Sequence, residues 1–146
     1  MNRFTPTVLE IDTGVSIGVS DAGIWSVRAG DNRFSLEETN DFFRVWLLFE
    51  RPFPEVKADL ERVAADAKVD ASFPFAKLIG SALNAMSGHW TECAMTWVPF
   101  LTLMERAPLK SLFIEVRDSK WASQKIRQLA RKYVSEIERG VQSGRH

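Results

Sequence analysis

The amino-acid sequence predicts a mainly α, single-domain protein, with antiparallel helical hairpins over residues 35–142 behind a small β-hairpin or irregular segment over residues 7–34. Three observations carry this. Residues 55–69 and 121–141 repeat apolar side chains at three- and four-residue spacing, the period of one helix face. Gly88, Ala107-Pro108 and Asp118-Ser119 cut the remaining apolar runs into lengths suited to short helices. Only the opening segment departs, with Gly14, Gly18, Gly23 and Gly30 set between short apolar pieces. A chain of 146 residues, 45% hydrophobic with 5 Trp and 10 Phe, suits one domain. It should bury about 68 to 70% of its unfolded surface without help from disulfides or metal.

In chain order, Val15–Val19 and Ile24–Val27 read as strands turned at Ser20-Asp-Ala-Gly23. Ser35-Leu-Glu-Glu38 has the form of a capping box, so a helix is expected from there to about Glu50. Phe42 to Phe49 is apolar almost throughout, which also fits a buried strand. Pro52 and Pro54 end that element, and Pro54 suits the first turn of the next, where its missing N–H leaves no bond unmade. In the helix expected over 55–69, Val56, Leu60, Val63 and Ala67 share one face. Further helices are expected over Phe75–Ser87, Trp90–Glu105 with a kink at Pro99, Leu109–Val116 and Trp121–Val141, with Ser143–His146 frayed. Successive short helices of this kind stack as antiparallel pairs, burying faces that no single pair could cover.

The formal net charge of zero hides a split. Residues 1–75 hold 13 Asp and Glu against 8 Lys and Arg, a net of −5, and residues 76–146 hold 6 against 11, a net of +5. Such a division attracts an oppositely charged partner from roughly a Debye length away. Opposite the apolar stripe of 55–69 lie Glu55, Asp59, Arg62, Asp66 and Asp70, four acids and one base. The ordinary reading is a solvated helix face. Yet the 55/59 and 66/70 pairs set like charges one turn apart, at a cost of a few tenths of a kcal/mol each. A basic partner would favour that spacing where stability does not. Glu37, Glu38 and Asp41 form a second acidic patch, and Trp25, in the least regular segment, is the candidate aromatic anchor.

Catalytic groups are scarce, with two histidines, one cysteine and one tyrosine. His89 and Cys93 stand one helical turn apart, the geometry of a Cys–His nucleophile. The more ordinary reading makes the thiol a small hydrophobe. Two such ligands fall short of the three or four that zinc requires. No glycine-rich loop with a following Lys and Ser or Thr cradles a phosphate. Neither an enzyme nor a cofactor or metal is therefore expected, and no small-molecule ligand. Lys120, Lys125, Arg127, Arg131, Lys132 and Arg139 line the last helix and offer an alternative role beside nucleic acid. The chain's pI of about 6.7 argues against that role. Without a secretory signal or an apolar run of membrane-spanning length, and with one cysteine, a cytoplasmic location is expected.

His89-Trp-Thr-Glu-Cys-Ala-Met-Thr-Trp-Val-Pro-Phe-Leu101 and Ser119 to Val134, within about residues 89–139, resemble the closing helices of HEAT-like repeats found in some small bacterial toxin-immunity proteins. The resemblance covers about a third of the chain and implies a non-catalytic inhibitor that binds one toxin and blocks it. A nuclease toxin, whose substrate cleft is basic, is the partner that acidic residues would suit.

Overall fold

Four short strands open the described part of the chain: β1 (Leu9–Asp12), β2 (Val15–Val19), β3 (Trp25–Ala29) and β4 (Asn32–Ser35). Each pairs antiparallel with the next, so the sheet order is the sequence order. The expected hairpin is the β2–β3 pair, and its turn closes at Ser20–Gly23, where the Ser20 N–H donates to the Ile24 carbonyl at 2.9 Å. The two outer strands go beyond that expectation. They are joined by tight turns in which Gly14 (φ 74°) and Gly30 (φ 62°) take the left-handed conformation that other residues resist. The Gly30 N–H donates to the Gly14 carbonyl at 3.0 Å, tying the two turns together. Alternation along β2 and β3 puts Ile17, Val19, Trp25 and Val27 on the buried face. The β1–β2 register slips between Glu10 and Asp12.

This computed structural model describes residues 8–143, and the chain divides into two compact units, Met1–Pro74 and Phe75–His146. In the first unit a 3-10 helix runs over Thr39–Glu50, interrupted at Val45 (φ −122°, ψ 20°). Its form follows from the sequence. Phe42, Val45 and Leu48 recur every third residue and are all buried, which matches three residues per turn better than 3.6. The segment that fitted either helix or strand is thus helical. Its start differs from the capping box read at Ser35–Glu38. Ser35 is spent in β4, and the Asp41 carboxylate instead accepts from the backbone N–H of Glu37 (3.3 Å) and Glu38 (2.9 Å).

Helix α1 (Phe53–Asp66) carries Pro54 in its first turn and buries Phe53, Val56, Leu60, Val63 and Ala64. It ends three residues earlier than expected, because Lys68 turns left-handed (φ 58°). The Lys68 N–H then bonds the Ala65 carbonyl and the Val69 N–H the Ala64 carbonyl, each at 3.0 Å, the double bond of a Schellman cap. Phe73 closes the core of this unit, with Trp25 and Phe42 edge-on to its ring at 5.3 and 5.9 Å between centroids.

The second unit is helical: α2 (Phe75–Asn84), α3 (Gly88–Met95), α4 (Leu103–Arg106), α5 (Lys110–Arg117) and α6 (Gln124–Ser143). The single kinked helix expected over Trp90–Glu105 is three pieces. Pro99 sits in a 3-10 turn, Val98–Phe100, and Thr102 caps a new start, accepting from the Glu105 N–H at 3.2 Å while Glu105 accepts from Thr102 N–H at 2.8 Å. Helix α6 buries Ile126, Ala130, Tyr133, Val134 and Ile137 and packs most extensively on α5, with Phe113 and Tyr133 rings 5.5 Å apart. The buried Tyr133 hydroxyl donates to the Met95 carbonyl at 3.0 Å, joining α6 to the end of α3. With 59% helix and one four-stranded sheet, the protein is mainly α. No helix among the described residues is long and apolar enough to cross a membrane.

Candidate acidic recognition face

The boundary after Pro74 falls at the charge split. Phe75 carries no charge, so the first unit keeps 13 acids against 8 bases and the second 6 against 11. Opposite net charges therefore belong to separately packed bodies rather than alternating within one.

Within the first unit, the four acids of the expected stripe meet different fates. Arg51, just before α1, reaches along the helix to donate to Asp59 at 2.6 Å and to Glu55 at 3.5 Å. Arg62 donates to the other Asp59 oxygen at 3.1 Å. The hydrogen bond from Arg51 holds the Asp59 carboxyl below the usual carboxylate range against the opposing effect of burial, and the charges of Arg51 and Arg62 add to it. The repulsion inferred between residues 55 and 59 is thus relieved inside the unit. Helix spacing alone hides this, because Arg51 stands outside the helix.

Asp66 and Asp70 are different. Asp66 is the last residue of α1, where the partial negative charge of the helix end opposes a carboxylate. Asp70 follows the left-handed Lys68 and so leaves the helical stripe on which its spacing placed it. Both are exposed, and neither forms an ion pair among the described residues. Of the second patch, Asp41 is occupied with the backbone of Glu37 and Glu38, so its position serves the start of the 3-10 helix. Glu37 and Glu38 are exposed beside it.

Trp25 is corrected from anchor to core. Its ring is 4% exposed and packs on Phe73, and its indole N–H meets no acceptor among the described residues. Alternation along β3 explains the placement, since residues 25 and 27 share the inner face. Among the described residues of this unit the exposed aromatic is instead Phe43, 51% exposed. The Arg44 guanidinium lies 3.6 Å from the Phe34 ring centre and 4.6 Å from that of Phe43. Arginine and aromatic side chains of this kind supply much of the energy at protein interfaces. Period-three spacing was the available signal, because it leaves residues 43 and 47 off the buried face.

In the second unit His89 Nε2 lies 4.0 Å from Cys93 Sγ, the shared face that their spacing predicts. The adjacent Glu92 carboxylate accepts from Lys125 at 3.2 Å, turned to a cation rather than to the imidazole. Among the described residues no group of three or more His, Cys, Asp or Glu is placed to hold a metal ion. Comparison of the chain with protein-family models, with curated proteins and with solved structures found no match in any of the three.

Proposed function

We propose that the protein is a non-catalytic, cytoplasmic protein-binding module whose acidic N-terminal unit engages a basic protein. In its most specific form it is an immunity protein or inhibitor that neutralises a toxin, a nuclease being the kind whose basic cleft suits an acidic face, with α2–α6 as a HEAT-like stack. The observation that carries this reading is the net negative charge, 13 acids against 8 bases, of a unit packed separately from the net-positive second unit. Asp66 supports it as an exposed acid whose position lowers rather than raises the stability of α1, and Asp70 as an exposed acid just beyond the helix end. Charge sets the encounter rate and the Phe43–Arg44 cluster holds the complex.

The test is retention of a partner from lysate of the native host by the immobilised chain. A basic protein should be captured, released by raised salt and lost when Asp66 and Asp70 are both changed to Lys, and co-expression should suppress that protein's activity. Asp59 is unsuited to this experiment because of its bonds to Arg51 and Arg62. Retention that ignores the double reversal refutes the acidic-face reading, and a captured protein whose activity survives co-expression refutes the inhibitor.

A further inference from the structure

A small groove in the second unit, about 240 Å³, is lined by Arg117, Gln124, Arg127, Gln128 and Arg131 and by no apolar side chain. Four of the five residues come from one face of α6, at positions i, i+3, i+4 and i+7, and Arg117 enters from the last turn of α5. Three arginines thus line one hollow. Carboxylates offset part of this charge: Arg117 donates to Asp118 through Nε at 2.9 Å and Nη2 at 3.1 Å, Glu138 also acts on Arg117, and Asp118 on Arg131. No carboxylate stands within ion-pair distance of Arg127 or Arg131 among the described residues, and Arg127 is half-buried. Arg127 and Arg131 are like charges one turn apart, an arrangement that weakens an isolated helix. Gln124 opens α6, so the positive end of the helix dipole adds to the same field.

From this lining we propose that the groove binds the phosphate group of a small phosphate monoester. Guanidinium forks match phosphate oxygens in planar pairs, and the amides of Gln124 and Gln128 can donate to the remaining oxygens. The volume lies below the roughly 300 to 1,000 Å³ typical of sites that enclose a whole ligand. The groove therefore holds the anionic group and leaves the rest of the molecule outside. A nucleic-acid backbone fits less well, because a polyanion needs cations spaced along a track. Here three of the flanking bases are engaged elsewhere, Lys125 with Glu92, Lys110 with Glu138, and Arg139 with the Ser135 carbonyl of its own helix, which leaves Lys120 and Lys132 as the cations a polyanion would have to use.

The experiment is a titration of the full chain, followed by calorimetry, with inorganic phosphate, adenosine monophosphate and a short DNA duplex as separate probes. Saturable binding of phosphate and of the monophosphate is expected, weakened about tenfold or more by Arg127→Gln and by Arg131→Gln, as loss of a charged hydrogen bond implies. Lys132→Gln removes the same charge from the same helix outside the groove and should change affinity less than twofold. Equal weakening by Lys132→Gln overturns the proposal, as does absence of saturation with both small probes. Tighter binding of the duplex, lost with the same arginines, overturns it in favour of a nucleic-acid surface. Because the groove and the acidic face lie in different units, failure here leaves the Asp66 and Asp70 test intact.

Discussion

Tyr133→Phe removes one oxygen atom from the second unit, and the structure sets both the size of the effect and its dependence on pH. The hydroxyl belongs to a side chain 3% exposed and donates to the Met95 carbonyl at 3.0 Å. A net hydrogen bond is worth about 1 kcal/mol, and a buried acceptor deprived of its donor adds to the loss, so a destabilisation of about 1 to 2 kcal/mol is expected. At about 2 to 4 °C per kcal/mol, Tm falls by about 2 to 8 °C. Burial, with a contribution from Glu136 and against the opposing effect of Arg106, pushes the Tyr133 pKa above the ordinary tyrosine value. A raised folded-state pKa means that the contribution is complete below about pH 10, where unfolded tyrosine starts to ionise, and is lost as pH climbs from there through the folded value. The difference between wild type and Tyr133→Phe should therefore be flat at neutral pH and shrink above about pH 10. Urea unfolding across pH measures it. Since this is the chain's one tyrosine, tyrosinate absorbance follows the same group without interference from another. A destabilisation below about 0.3 kcal/mol at neutral pH, or ionisation of the folded protein at the ordinary value, would refute the reasoning.

Asp59→Asn should cost about 1 kcal/mol at neutral pH, because it unlinks Arg51 from α1. Its depressed pKa means this contribution exists above the ordinary carboxylate range near pH 4 and disappears as pH falls through the folded value, so the two proteins should converge in acid unfolding curves. Lys68→Gly should stabilise by about 0.5 to 1 kcal/mol, since glycine takes the left-handed φ without strain; an unchanged melting temperature contradicts it. Trp25→Phe exchanges a buried N–H with no acceptor for a smaller ring, so the lost volume and the relieved polar atom offset each other to within about 1 kcal/mol, and a loss of 3 kcal/mol by chemical denaturation would show that the indole matters otherwise.

Where periodicity was strong, the sequence was a sound guide. The stripe of Val56, Leu60 and Val63 and that of Ile126, Ala130, Tyr133 and Ile137 face inward as read. The boundaries were less legible, for a specific reason: Lys68 stops α1 at Asp66 and the chain turns again at Met86, both left-handed positions filled by residues other than glycine. Ser35-Leu-Glu-Glu38 has the form of a capping box but does not act as one, because β4 claims the serine. At the acidic face, composition showed the excess of acid, but only the folded chain shows Arg51 crossing to Asp59. The arginine groove was half legible. Residues 124, 127, 128 and 131 share a face by spacing, whereas Arg117 joins them through tertiary packing that no spacing records.

The sequential order of the sheet bears on how the chain acquires its shape during synthesis. Every strand finds its partner across one turn, so zippering of β1 to β4 needs no search among distant segments. The residues that complete this core, through Phe73, are all synthesised before α2 begins at Phe75. Arrest of translation shortly after Pro74 clears the exit tunnel should thus yield a protease-resistant nascent fragment.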